Sequence, residues 1–268
     1  MFERTPPTPS SPVLPTIPDC AAWWDFDQTL VSRDPGAFVL EPLSDKWEWV
    51  ADGVWGGYGL RILPGGGFRI PRARIGALDI HGPDAAGSVC AWIKRESDTP
   101  WQAIAGVWDE SRAKRQYFLF LNARMHTLQG TTTRVPCQNR IHGHVSNVGG
   151  ATPGLHCCVT YATGATEIPP GKWTFVAMTF GGGTSRVFVN GRLDACPESN
   201  PFQTSPRIFD GGKDGADFTV GMNSVRQTWS NPFGGILGGL AVYRRALSAD
   251  EIARLAQAFR VPASRLVE

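Results

Sequence analysis

The sequence contains no run of lysines or arginines and carries little net charge, because 26 basic residues are balanced by 24 acidic ones and the formal net charge is +2. Proteins that bind a phosphate backbone need clustered positive charge, so the composition predicts no nucleic-acid partner. No apolar run approaches the length of a membrane span, and residues 1–18 lack the basic start and apolar stretch of a secretory signal. We therefore expect no membrane span and a cytoplasmic protein, unless a signal segment has been removed.

Cysteine motifs for zinc or redox chemistry are also missing. The six cysteines are Cys20, Cys90, Cys137, Cys157, Cys158 and Cys196. Their spacings match neither a zinc ribbon nor a redox CxxC motif. Cys137 and Cys157 flank a long intervening segment and could form a disulfide in an oxidising compartment. The missing signal segment argues against such a compartment. The pairing of Cys137, Cys157, Cys158 and Cys196 therefore stays open.

Glycine and proline, by contrast, are abundant, with 31 and 21 residues among 268. This composition suits a sheet protein with many turns better than a helical one. Short runs with strand-like alternation recur between the turns, and their number predicts an all-β fold, a two-sheet antiparallel jelly-roll sandwich. Ser248 and Glu251 form a capping-box pattern ahead of Ile252 and Leu255, which predicts one short C-terminal helix.

The chain divides into three parts by composition. Residues 1–19 are rich in proline, serine and threonine, and we expect a disordered leader there. Residues 20–260 can form one β-sandwich domain, since all-β domains of this size are common. Residues 261–268 are left as a C-terminal tail.

The most regular stretch lies between Trp173 and Asp194. Alternating residues from Trp173 to Phe180 are followed by the turn Gly181–Gly183, and a second strand ends at Asn190-Gly191. Two strands joined by such turns predict an antiparallel hairpin.

This hairpin, together with residues 22–27 and 233–252, resembles laminin-G-like domains of the concanavalin A-like lectin and glucanase superfamily. The resemblance implies a concanavalin A-like sandwich in which Leu240 to Tyr243 pairs near Trp24 to Phe26. It implies no single activity, because lectins, glycan-cleaving enzymes and adhesion modules share the scaffold. Protein-binding members leave open the alternative of a protein-interaction module.

The strand from Arg140 to Ser146 carries the sharpest functional signal. Strand alternation sends Arg140, His142 and His144 to one face, and Ile141 and Val145 to the other. A core face would not collect such polar groups, so we expect this face to meet a ligand or water. The alternative is a solvated outer sheet on which both histidines bond only to neighbouring segments.

Two residues nearby in sequence could extend this polar face. Gln116 and Asn122 fall on the same side of the strand from Arg115 to Asn122 as Phe118 and Phe120. A surface of amide, imidazole and aromatic groups suits a sugar, whose hydroxyls need donors and acceptors while its C–H faces lie on rings. We therefore predict a carbohydrate-binding domain whose contacts are Gln116, Asn122, Arg140, His142 and His144.

An enzyme is the runner-up. Some jelly-roll lyases use a histidine or tyrosine to remove a proton from a uronate, while an arginine or amide neutralises the carboxylate. In this sequence His142, His144, Arg140 and Tyr161 could take those roles. A glucanase has less support, because Glu96-Ser-Asp98 lacks the second glutamate that retaining glucanases of this superfamily carry.

No cofactor is required by this interpretation, although calcium is a candidate. Asp210, Asp214 and Asp217 lie in a glycine-rich loop, and laminin-G-like domains often hold calcium at a rim loop. An ordinary turn is the preferred interpretation, because aspartate beside glycine is common in turns.

The tryptophans divide by context. Trp101 and Trp229 fall in or beside loops and are predicted at a binding rim, whereas Trp108 and Trp173 lie in strands and are predicted to be core.

Overall fold

The computed structural model describes residues 16–34 and 36–258 of the chain. The predicted leader and tail fall largely outside these residues, so the predicted domain boundaries stay predictions. Every cysteine is a free thiol. No helix within the described ranges is long and apolar enough to cross a membrane.

The described residues form short strands and one α-helix. In chain order they are β1 (Cys20–Trp24), β2 (Glu41–Pro42), β3 (Trp47–Val50), β4 (Gly59–Ile62), β5 (Phe68–Ile70), β6 (Gly87–Arg95), β7 (Gln102–Asp109), β8 (Lys114–Leu121), β9 (Met125–Thr127), β10 (Arg134–Pro136), β11 (Ile141–Val145), β12 (Tyr161–Thr163), β13 (Thr174–Gly181), β14 (Thr184–Val189), β15 (Arg192–Leu193), β16 (Phe202–Gln203), β17 (Phe218–Val220), β18 (Asn223–Val225), β19 (Thr228–Ser230), β20 (Gly235–Tyr243) and α1 (Ala249–Gln257).

Two large antiparallel sheets stack face to face, which confirms the predicted sandwich. The first sheet has the order β15-β14-β13-β6-β20-β4-β3, with β1 added on β20 and β16 on β14. The second sheet has the order β12-β11-β8-β7-β17-β5-β2, and the β18–β19 hairpin joins it at the end of β7. Strands β9 and β10 form a separate small hairpin.

The predicted hairpin and the pairing of the chain ends are both confirmed. Strands β13 and β14 pair from Val176 opposite Val189 to Gly181 opposite Thr184. The following turn has positive φ at Asn190 (48°) and Gly191 (81°), as a two-residue turn between twisted strands requires. At the ends of the domain, Trp24 pairs with Leu240 in neighbouring strands.

One stretch forms strands that its sequence does not indicate. Residues 31–57 lack clear strand-like alternation, but they contain β2 and β3. Strand β3 pairs with β4, and Trp47 packs edge-on against both Trp49 and Phe68. The alternating tryptophans of this strand hold it on the sheet edge by aromatic packing, which a periodicity over so few residues does not reveal.

The apolar inner faces of the two sheets form the main core, and this fixes the direction of the histidine strand. Ile141 and Val145 are buried between the sheets. Gly143 lies among them, where an added Cβ would come within 3.0 Å of Val187 and 3.1 Å of Met178 in the opposite sheet. Close approach of the sheets at Gly143 therefore turns the intervening histidines to the outer face of the second sheet.

Helix α1 begins with the predicted capping box. The Ser248 hydroxyl accepts a hydrogen bond from the Glu251 amide, and the Glu251 carboxylate accepts one from the Ser248 amide. Ile252 and Leu255 are buried against the outer face of the first sheet. The outer face of the second sheet is the one that bears the candidate site.

Candidate functional site

An aromatic pocket of about 200 Å³ lies on the outer face of the second sheet. Its floor comprises Trp108 on β7, Phe120 on β8 and His144 on β11, and Trp101 reaches it from the loop before β7. Charged side chains at its wall are Glu110, Arg115 and Arg134. The remaining lining residues are Cys157, Cys158, Val225 and Asn231.

His144 is the predicted residue that the structure places in this pocket. The side chain is nearly buried, at 3% exposure, and its ring centroid lies 4.9 Å from Phe120, 5.6 Å from Trp108 and 6.0 Å from Trp101. Neither ring nitrogen has a hydrogen-bond partner. Burial holds the pKa of this imidazole well below its ordinary value, with a smaller contribution from His142. The neutral ring therefore carries one unpartnered donor and one unpartnered acceptor at the pocket floor.

His142 does not join His144 there, which corrects the prediction that both imidazoles emerge into one hollow. It is fully buried, and its Nδ1 lies 2.9 Å from the Thr163 hydroxyl of the neighbouring strand. Burial, with a smaller effect from His126 and Arg140, lowers its pKa to about 3. The two rings share a face, as alternation requires, but their centroids are 6.3 Å apart.

Gln116 also lies outside the pocket, because a β-bulge interrupts the alternation of its strand. Val107 pairs with Tyr117 but the next residue, Trp108, pairs with Arg115, so Gln116 is the extra residue. Its amide donates to the Asp79 carboxylate at 3.0 Å. Arg115, which was not predicted to be a contact, therefore takes the place beside Trp108.

Asn122 was predicted to be a ligand contact, but it does not line the pocket and instead supports one of its loops. Its side-chain amide donates to the backbone oxygens of Asp98 and Thr99 at 3.1 and 3.2 Å. Its own backbone oxygen accepts from the Trp101 amide at 2.8 Å. Asn122 thus fixes the loop that carries Trp101 into the pocket.

Arg140 and Tyr161 do not line the pocket. Arg140 reaches the backbone oxygen of Gly164 at 3.5 Å, at the start of the histidine strand. Tyr161 lies under His144, with ring centroids 4.2 Å apart, and its hydroxyl donates to the Met125 backbone oxygen. Burial raises the pKa of this phenol. Tyr161 therefore supports the imidazole from behind.

The charged wall of the pocket is only partly neutralised. The Arg115 guanidinium lies 3.6 Å from the Glu110 carboxylate and 5.8 Å from the Trp108 ring centroid. Glu110 also accepts from the Trp108 indole at 3.3 Å. Arg134 donates to the Cys157 sulfur at 3.5 Å, and the buried Nε atoms of Arg115 and Arg134 have no partner.

The tryptophan predictions are mixed. Trp173 is fully buried and Trp101 lines the pocket. Trp108, expected to be core, is buried too, but it lies in a cluster with Phe118 and Phe120 outside the main core and forms the pocket floor. Trp229 is 40% exposed and, with Trp108, lines a neighbouring pocket of about 160 Å³. Strand position alone could not assign Trp108 to a face, because β7 is buried along its whole length and both of its faces carry apolar residues.

The aspartates proposed for calcium are not brought together as a metal site. Asp217 accepts from the Arg72 amide and from the Arg69 guanidinium. Asp210 accepts from the Gly212 amide within the same turn, and Asp214 ends a short 3₁₀ turn. Over residues 16–34 and 36–258, no group of three histidine, cysteine or acidic side chains could hold a metal ion.

Several solved structures resemble this fold. Domain 4 of AbnA, an extracellular GH43 arabinanase from Geobacillus stearothermophilus, solved in complex with arabinotriose, is 20% identical with a TM-score of 0.61, and the match covers 89% of this chain and 98% of that one. Trypanosoma rangeli sialidase in complex with a difluoro-KDN ligand is 14% identical with a TM-score of 0.57, covering 94% and 36%. The receptor-binding domain of the botulinum neurotoxin C/D mosaic serotype is 11% identical with a TM-score of 0.51, covering 89% and 51%. At these identities the likeness shows the fold alone.

Sequence comparison identifies the family. No curated protein matches the chain significantly. The Laminin_G_3 family model, described as concanavalin A-like lectin/glucanases superfamily, matches residues 72–253, which is more than half of the chain. The matched region includes the central hairpin and the strands that build the pocket. The chain therefore belongs to the concanavalin A-like lectin/glucanase superfamily, as its hairpin and terminal motifs predicted.

Proposed function

We propose that this domain binds carbohydrate in the pocket between Trp101, Trp108 and His144. The observation that carries the proposal is a buried imidazole with two unpartnered nitrogens on a floor of aromatic rings. Aromatic rings suit the C–H faces of a sugar, and the polar atoms suit its hydroxyls. The arabinotriose bound to domain 4 of AbnA supports a glycan ligand on this fold.

The unpartnered atoms matter because burial without a hydrogen bond is costly. A buried polar group left unpaired costs about 1–3 kcal/mol. The two nitrogens of His144 and the Nε of Arg115 all carry this cost at one pocket. A ligand with hydroxyl groups would supply the missing partners, whereas an apolar ligand would not.

Catalysis by the same residues has less support. A lyase base works best with a pKa near the operating pH, but burial lowers the pKa of both His142 and His144 far below neutrality. The Tyr161 hydroxyl is bonded to a backbone oxygen. Glu96 and Asp98, the nearest approach to a glucanase motif, pair with Arg61 and Arg95 outside the pocket. We therefore favour binding without turnover.

The proposal is tested by screening the domain on a glycan array that includes arabinotriose, followed by calorimetric titration of the glycans bound. Trp101→Ala should weaken binding roughly tenfold, equivalent to about 1.4 kcal/mol. Trp49→Ala, which removes a similarly half-buried tryptophan from β3 of the first sheet, is the matched control and should leave binding unchanged. Equal loss in both variants, or no glycan bound by the wild type, contradicts the proposal.

A further inference from the structure

The charges around the pocket do not balance. Two arginines, Arg115 and Arg134, face it, whereas Glu110 is the one acidic side chain in its lining. Glu110 lies 3.6 Å from Arg115 and is bonded to the Trp108 indole, so its carboxylate is already engaged. One guanidinium therefore remains without a counter-charge at the pocket wall.

Arg134 is that guanidinium. Within the part of the chain that the structure describes, it forms no ion pair, and its neighbours are the Cys157 sulfur at 3.5 Å and the Tyr161 hydroxyl. A thiol is a weak acceptor and a phenol is a neutral one. The Nε of Arg134 is buried and has no partner at all. Arg134 as a whole is half-buried, and a partly buried guanidinium without a counter-charge is best stabilised by a carboxylate, which it can bind with two hydrogen bonds.

We propose that the pocket selects a carboxylated sugar, with the carboxylate paired to Arg134, the hydroxyls bonded to His144 and the ring against Trp108. The inference rests on the proposed carbohydrate-binding function and adds the chemical class of its ligand. His144 contributes no charge, because burial keeps it neutral, so selection for the anion depends on Arg134. Uronates and sialic acids share the required group.

The size of the pocket limits what enters it. At about 200 Å³ it is smaller than the usual range of about 300–1,000 Å³ for small-molecule sites. One sugar unit, rather than a long glycan segment, is therefore the part of the ligand that this pocket recognises.

The experiment compares acidic sugars with their neutral counterparts by calorimetric or NMR titration at low salt. The probes are galacturonate against galactose, glucuronate against glucose, and N-acetylneuraminate as the sialic acid. We expect at least one acidic sugar to bind roughly tenfold more tightly than a neutral one, as one charge-assisted pair predicts. Which acid is preferred separates a uronate from a sialate ligand, and rising salt should weaken the preference.

Substitutions of Arg134 test whether this residue is responsible for the preference for acidic sugars. Arg134→Gln should reduce the preference for the acid to less than about twofold while retaining binding of the neutral sugar. Arg134→Lys should keep part of the preference, because the charge remains but the planar fork is lost. Arg186→Gln, which removes a charge from β14 of the first sheet, is the matched control and should change nothing.

Equal affinity for acidic and neutral sugars in the wild type overturns the inference and leaves carbohydrate binding intact. Retention of the full acid preference in Arg134→Gln also overturns it, since another group must then read the carboxylate. If none of the probes and no glycan on the array binds, both the inference and the proposed function fail.

Discussion

The imidazole of His144 lies flat on the ring of Tyr161, with centroids 4.2 Å apart and planes inclined by 17°. Tyr161 is itself tied to β9, because its hydroxyl donates to the Met125 backbone oxygen at 3.3 Å. Since neither nitrogen of His144 has a partner, packing rather than hydrogen bonding sets the orientation of this ring. The imidazole that lines the pocket is therefore positioned by a residue that does not line it.

Replacing the aromatic ring of Tyr161 should disturb the pocket more than removing only its hydroxyl. Tyr161→Leu removes the stacked ring, and we expect sugar binding to weaken about tenfold as His144 loses its fixed orientation. Tyr161→Phe keeps the ring and should bind within about twofold of wild type. Calorimetric titration with the best glycan from the array measures both. Equal losses in the two variants would show that the hydroxyl, rather than the stack, is what matters.

The face of the histidine strand was predictable from sequence, but the surroundings of each histidine were not. Ile141 and Val145 mark the inner face by simple alternation, which places His142 and His144 on the outer one. Both are buried, but their different contacts depend on partners distant in sequence, Thr163 for His142 and Trp101 and Trp108 for His144. Short-range periodicity carries no information about such contacts.

Arg115 lines the pocket in place of the predicted Gln116, and the cause is a local one that periodicity also misses. A bulge adds one residue to β8 opposite Trp108, and every face assignment beyond the bulge shifts by one. Gln116 consequently binds Asp79, while Arg115 reaches the pocket. The helix cap at Ser248 and the turn at Asn190-Gly191 were predicted correctly because their chemistry is local.

The buried histidines His126, His142 and His144, whose pKa values are all lowered by burial, predict a pH dependence of stability. An unfolded histidine takes up a proton near pH 6.5, whereas folding lowers the pKa of His142 to about 3 and that of His144 well below 6.5. The unfolded state thus binds more protons, so the free energy of unfolding should fall as pH drops below about 6.5, by at most about 1.4 kcal/mol per pH unit for each histidine.

Urea unfolding at several values between pH 7 and pH 5 measures this slope, above the range where most carboxylates titrate. His142→Gln removes one of these histidines and should flatten the slope, whatever it does to stability at pH 7. An unchanged slope in the variant would mean that His142 is not held neutral by burial.

Close packing at Gly143 predicts a steric cost for a larger residue. Its backbone φ is not positive, so alanine is allowed there, but the new Cβ would lie 3.0 Å from Val187 and 3.1 Å from Met178. We expect Gly143→Ala to lower the free energy of unfolding by about 1–3 kcal/mol, the usual range for overpacking. Gly150→Ala is the matched control, because its Cβ would meet only Ala113 at 3.8 Å. Chemical denaturation of both variants measures the difference, and similar stabilities would indicate that the sheets can separate freely at Gly143.

Asn122 should affect binding through the loop that carries Trp101. Its backbone has a positive φ of 58°, which asparagine and glycine tolerate, so Asn122→Gly keeps the conformation and removes the hydrogen bonds to Asp98 and Thr99. We expect weaker glycan binding, by roughly fivefold to tenfold, because Trp101 is no longer held at the pocket. Quenching of tryptophan fluorescence by acrylamide should increase as the loop loosens.

The side-chain amide of Asn122 has two functions: its nitrogen donates to the loop, and its oxygen accepts from the Asn139 backbone amide at 3.1 Å. Asn122→Asp would keep the accepting oxygen and remove the donor to the loop. The aspartate variant should therefore lose binding as the glycine variant does, and it should also be less stable towards urea than the wild type, because its buried carboxylate would face the Asp98 and Thr99 backbone oxygens. If Asn122→Asp binds glycan like the wild type, the two bonds to Asp98 and Thr99 do not position Trp101, and the support of the pocket must come from the Trp101 backbone bond alone.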